Sequence, residues 1–164
     1  MITQDTIAFV CVCLGLAGLL LGCQAQGPMT APIAAWTGNA VWLREWLKAG
    51  GNANATDENG KTLLYLSTGP KGSYEVTKLL LEAGADPNLC KAGGYSPLMN
   101  AALWSDLEGI KILLQYGADP CYKSADGKNA YDIVMAIQPP NQVVISFLAE
   151  QIKDKCGNDD KNEF

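Results

Sequence analysis

Apolar residues follow two regimes along the chain. From Ile7 to Gly22 the sequence IAFVCVCLGLAGLLLG runs without a charge. Beyond it the apolar residues come in stripes at helical spacing. Val76, Leu79, Leu80 and Leu81 predict one amphipathic helix, and Ile110, Ile112, Leu113 and Leu114 a second, each turning one face to a core. Leu43 and Leu47 predict a third, and the four-residue spacing of Trp42 and Trp46 assigns both indoles to the core as well. Polar punctuation brackets the stripes. Thr62 and Ser96 are hydroxyl N-caps, and Pro97 follows Ser96 at the first helical position, where a missing N–H costs nothing. Gly84 and Gly117 close the longer helices as left-handed stops. Asp57, Glu58, Asn59 and Gly60, and the later Ala125, Asp126 and Gly127, are turn formers that predict hairpin tips projecting away from the helices.

The punctuation is periodic. Gly60, Gly94 and Gly127 are spaced by 34 and 33 residues, and so are Gly50, Gly84 and Gly117. Around them KAGGNANAT, EAGADPNLC and QYGADPCYK align, as do NGKTLLYLS, GGYSPLMNAA and DGKNAYDIV. This pattern resembles ankyrin repeats over roughly residues 30–150. The resemblance implies an all-α solenoid of about four helix–turn–helix units with short β-hairpin tips. The first unit is partial. In the last, Asn129, Ala130, Tyr131 and Asp132 replace the usual Thr-Pro-Leu-His, and Pro139-Pro140 separates the two helices. The His of that word is Tyr65, Met99 and Asp132 here, so its usual bond to the neighbouring turn is lost or replaced. At least three units must stack to share a core, and four meet that need.

The leading apolar run is short for a membrane span of about 20 residues and suits the core of a secretory signal. A noncleaved anchor is the alternative. The run ends Leu20, Leu21, Gly22, Cys23, followed by polar Gln24, which resembles the lipobox of bacterial lipoproteins. Two features depart from that pattern: residues 1–6 contain Asp5 and no Lys or Arg, and Leu21 is bulkier than the usual small residue. By the resemblance Cys23 becomes the lipid-bearing first residue of the mature chain, since two or more acyl chains hold a domain on a bilayer. Gln24 implies the outer membrane, facing the periplasm. The expected organisation is a lipoprotein signal peptide at 1–22, a tether at 23–29, the repeat domain at 30–153 and a polar tail at 154–164.

Composition then narrows the chemistry. Twelve Lys and Arg against 17 Asp and Glu give a net charge of −5, which argues against nucleic acid and favours a basic partner on the concave side. Histidine is absent. Without it the serines have no partner base, and neither a nucleophile elbow nor a phosphate-cradling loop is present, so no enzyme, cofactor or metal is expected. Of the cysteines outside the first 23 residues, Cys90, Cys121 and Cys156 permit one disulfide; Cys121 with Cys156 and Cys90 with Cys121 both remain open.

Binding is what remains. In the family that the chain resembles, partners lie across the tips and the exposed ends of the first helices. Carried over, those positions are Trp36, Thr37, Glu58, Asn59, Lys61, Tyr95, Leu103, Trp104, Asp126 and Lys128. Trp104 is expected beside a tip carrying Tyr95, with Trp46 buried between the first two units. The reading is a lipid-anchored periplasmic protein-binding module. Its role is either immunity against a secreted antibacterial toxin such as a lipase effector, support of a periplasmic enzyme, or scaffolding of the envelope.

Overall fold

The computed structural model describes residues 29–91 and 93–156. The expected signal, the lipid-bearing Cys23 and residues 157–164 of the tail lie outside the described residues. From Ala31 onward the chain builds four helix pairs: α1 (Ala31–Thr37) with α2 (Ala40–Lys48), α3 (Leu63–Ser67) with α4 (Tyr74–Glu82), α5 (Pro97–Leu103) with α6 (Leu107–Gln115), and α7 (Ala130–Met135) with α8 (Gln142–Cys156). First helices pack in series, α1 on α3, α3 on α5 and α5 on α7, while α2 packs on α4 and α4 on α6. Two layers of helices result. The last helix runs to Cys156, so the expected boundary after residue 153 falls inside it. Among the described residues no helix is long and apolar enough to cross a membrane.

These helices are short, and their ends are supplied from the sequence. Thr62 accepts the Tyr65 N–H and Ser96 the Met99 N–H, with Pro97 in the first turn. Asn129 and Asp132 form a reciprocal capping box in the last unit, where the usual Thr-Pro word is missing. Gly84 and Gly117 follow the helices they stop at φ 86° and 88°.

Leu63, Leu64, Leu80, Leu98, Met99, Ile110, Leu113, Val134 and Leu148 are fully buried between the layers, and the alanine pairs Ala34-Ala35 and Ala101-Ala102 let the first helices approach. Burying each such aliphatic side chain contributes about 1.5–3 kcal/mol. Leu79 and Leu114 reach only the margin of the core. Trp42 and Trp46 are not core. Leu43 takes the buried position, which rotates its neighbour by about 100° onto the flank of the helix. The two indoles stack on one another there, 6.2 Å apart and half-buried, with Trp46 lying over Gly51.

Hydrogen bonds join one unit to the next at a repeating position. The Asn54 amide donates to the Gly84 carbonyl and accepts the Asp86 N–H; Asn88 does the same with Gly117 and Asp119. One period on, the position is Cys121, bonded to Cys156 at a Cα–Cα distance of 5.9 Å. A covalent bridge from this position to the last helix stands in place of the amide contacts. Buried Asn100 supplies the bond missing from the Tyr65 and Met99 positions: its amide donates to the Tyr65 carbonyl and the Thr68 hydroxyl, both at 3.0 Å.

The tips are turns. Among the described residues their only ladder pairing is the isolated bridge of Thr56 with Thr62. Gly60 and Gly127 take the left-handed conformation, but in the third unit it falls on Gly93 rather than on the aligned Gly94. A Cβ on Gly93 would come within 2.9 Å of the Ala125 methyl, and its carbonyl accepts the Ala125 N–H at 2.9 Å. Glycine there lets the third and fourth tips touch.

Candidate partner-binding surface

The candidate residues separate into two groups. Trp36 and Leu103 occupy the same place in their units, directly after the buried alanine pair, and stand 41% and 42% exposed; Trp104 follows at 51%. All three lie where a first helix turns into a second. Tyr95 precedes the cap at the other end of α5, so the seven-residue helix, about 10 Å, separates it from Trp104. The expected Tyr95–Trp104 neighbourhood does not form. Tyr95 instead belongs with Glu58, Asn59, Lys61, Asp126 and Lys128 at the tips.

The turn edge is more apolar than the sequence alone suggested. Besides Trp36, Leu103 and Trp104 it exposes Val41, Tyr74, Met135 and Val143, drawn from all four units. Each of the added residues is at the end of a first helix or in the first turn of a second. The signal was an apolar residue off the buried stripe at an element boundary. First helices carry a single charge, Asp132, and the charges at this edge come from the turns and second helices, where Asp106 accepts the Tyr74 hydroxyl at 2.8 Å. Around it, the Lys71 ammonium sits 4.5 Å from the Trp36 ring, and Arg44 pairs with Glu75 at 2.9 Å. Exposed Thr37 turns its hydroxyl back to the Ile33 carbonyl, and so has its donor committed within the helix.

At the tips charge dominates, and it is not acidic. Lys61, Lys91, Lys123 and Lys128 stand against Asp57, Glu58 and Asp126. The acidic bias expected of the binding face therefore comes from elsewhere in the chain. Two of the three acids are also engaged. Asp57 accepts the backbone N–H groups of Asn59 and Lys61 at 2.9 and 2.8 Å; partial burial opposes its ionisation, yet these bonds bring its carboxyl below the usual range. Asp126 accepts the Ser124 hydroxyl and lies 3.6 Å from the Lys128 ammonium, and the Ser124 bond leads in lowering its pKa. Glu58 and Asn59 are exposed at the crown of the second tip.

Between the second and third tips lies an open cleft of about 410 Å³, lined by Glu58, Asn59, Leu89, Cys90 and Lys91. A second hollow of about 210 Å³ adjoins it, lined by Lys61, Tyr65, Lys91 and Tyr95. The Lys61 ammonium is 5.4 Å from the Tyr65 ring, and burial, then the neighbouring Tyr95, raises the Tyr65 pKa. Cys90 is a free thiol and not a partner of Cys121; it donates to the Tyr122 hydroxyl at 3.3 Å, which donates in turn to the Gly94 carbonyl. The thiol bond, with burial second, raises the Tyr122 pKa. Among the described residues no group of three or more Cys, Asp or Glu is placed to hold a metal ion.

Comparison with known proteins fits this geometry. The family described as ankyrin repeats (3 copies) matches residues 32–124. The chain is 34% identical over 91 residues to protein phosphatase 1 regulatory subunit 12A of Mus musculus, covering 55% of this chain and 9% of that protein. It is 34% identical over 97 residues to the putative E3 ubiquitin-protein ligase XBAT34 of Arabidopsis thaliana, covering 58% and 26%. It is 39% identical over 82 residues to an intracellular phospholipase A2 of Caenorhabditis elegans, covering 48% and 8%. The chain thus spans only a small part of these relatives.

Proposed function

The chain belongs to the ankyrin-repeat family, whose members are protein–protein interaction modules, and from that premise we propose a lipid-anchored periplasmic binding module that neutralises a secreted antibacterial toxin such as a lipase effector. The observation that carries binding is the turn edge, where Trp36, Leu103 and Trp104 stay exposed among Lys71, Asp106 and the Arg44–Glu75 pair. Large aromatic side chains at such a place bury much area at little entropic cost when a partner docks. The module acts by occupying its partner. Anchoring rests on the sequence Leu20-Leu21-Gly22-Cys23 and the polar residues after it.

Two measurements test this reading. Replacing Cys23 with Ser and fractionating cells should release the protein from the outer-membrane fraction and leave the chain at precursor size; a protein that stays in the membrane at the same size with or without the change has a noncleaved anchor. Cross-linking in intact cells should then recover one secreted toxin, and loss of the chain should sensitise cells to it. Recovery of a resident periplasmic enzyme whose activity falls without the chain would assign the helper role instead.

A further inference from the structure

Tips three and four touch through the Ala125–Gly93 hydrogen bond, whereas no hydrogen bond joins tip two (57–61) to the described residues of tip three, and the two connected hollows open between them. Lys61 and Lys91 line the smaller hollow from opposite tips. None of the ion pairs among the described residues uses either ammonium. Tyr65 and Tyr95 also line it, and the Tyr95 hydroxyl donates to the Asp126 carboxylate at 3.5 Å. A hollow of about 210 Å³ admits one side chain rather than a folded element. Charge selects its kind, since two ammoniums line a volume whose own lining contains no carboxylate, the nearest lining carboxylate being Glu58 on the wall of the adjoining hollow. The adjoining larger hollow, with Leu89 and Thr56 on its walls, continues the path for the residues on either side.

We propose that the cleft between the second and third tips receives an acidic side chain, Asp or Glu, carried on an extended segment of a protein partner, with its carboxylate between Lys61 and Lys91. The site is specific to these two tips. In tip four the matching Lys128 is drawn to Asp126, and this tip is hydrogen-bonded to tip three through Ala125 and Gly93. The inference rests on the binding-module reading and adds the chemistry of one contact. Its partner segment is acidic, opposite to the basic partner that total charge suggests, because a short-range site responds to the charges within about 8–10 Å rather than to the whole chain.

The test uses the mature chain, a hexaglutamate peptide and amide chemical shifts. The peptide should move the resonances of Lys61, Tyr65, Lys91 and Tyr95, with an affinity that falls as salt rises. The double variant Lys61→Gln/Lys91→Gln should bind about five- to tenfold more weakly, and Lys153→Gln/Lys155→Gln, on the exposed face of α8, should bind as the parent does. Hexaglutamine, hexalysine and an oligothymidylate serve as controls. Equal binding by the parent and the Lys61/Lys91 variant, preference for hexalysine, or tighter binding of the oligothymidylate at these resonances would each overturn the proposal. Both double variants lie on exposed lysines, and unchanged melting verifies their folding. The module reading fails separately: it is lost if no protein is recovered by cross-linking, whatever the peptide does.

Discussion

At the scale of single residues, Asn100 shows how a repeat can lose a characteristic side chain and keep its joint. Its side chain is 4% exposed, and its amide spans two units by donating to the Tyr65 carbonyl and the Thr68 hydroxyl. Removing a buried donor leaves its acceptors without a partner and typically costs about 1–3 kcal/mol. Asn100→Ala should lower stability by that amount in urea titration, with Asn59→Ala, at an exposed crown, changing it by less than about 0.5 kcal/mol. The sequence showed that the usual histidine was missing but not which residue replaced it. Asn100 is the very next residue after Met99 and carries no periodic mark, so only the packing of α5 on α3 reveals its role. Gly93 and Gly94 illustrate the same limit. Two adjacent glycines are equally free to adopt positive φ, and contact with Ala125, distant in sequence, decides between them.

At the scale of elements, helix starts and stops were legible because their chemistry is local. Caps at Thr62 and Ser96 and stops at Gly84 and Gly117 need only neighbouring backbone groups. Facing was harder to read. A spacing of four places Trp42 and Trp46 on one side of α2, which is where they stack, but it cannot tell which side meets the next layer. Leu43 settles that by filling the buried position. The tie between α8 and the loop after α6 was open in the sequence for a related reason, since connectivity is a property of distance in space. With Cys121 and Cys156 joined across a separation of 35 residues, the chain-entropy estimate gives about 3–4 kcal/mol of stabilisation. Cys156→Ser should therefore lower the unfolding free energy by up to that amount and expose the last turns of α8 to amide exchange first. Added reductant should have the same effect on the parent and none on the variant.

At the scale of the whole molecule, stability and recognition are carried by different surfaces, and that separation can be measured. The core runs continuously through four units, so Leu98, buried between α5 and its neighbours, supports units on both sides. Leu98→Ala should cost about 2–5 kcal/mol, a large part of a typical margin of about 5–15 kcal/mol. Trp104 is 51% exposed and follows its helix rather than filling the stack. Trp104→Ala should therefore shift stability by no more than about 0.5 kcal/mol while weakening capture of the partner by about 2 kcal/mol, roughly thirtyfold in affinity. Trp46→Ala should fall between the two in stability, because its indole covers Gly51 and stacks on Trp42 without being enclosed, and it should leave affinity unchanged. Chemical denaturation and partner affinity, measured on all three variants, give the comparison. If Trp104→Ala unfolds the chain as Leu98→Ala does, the turn edge is part of the core; if it alters neither stability nor affinity, the partner does not use this edge.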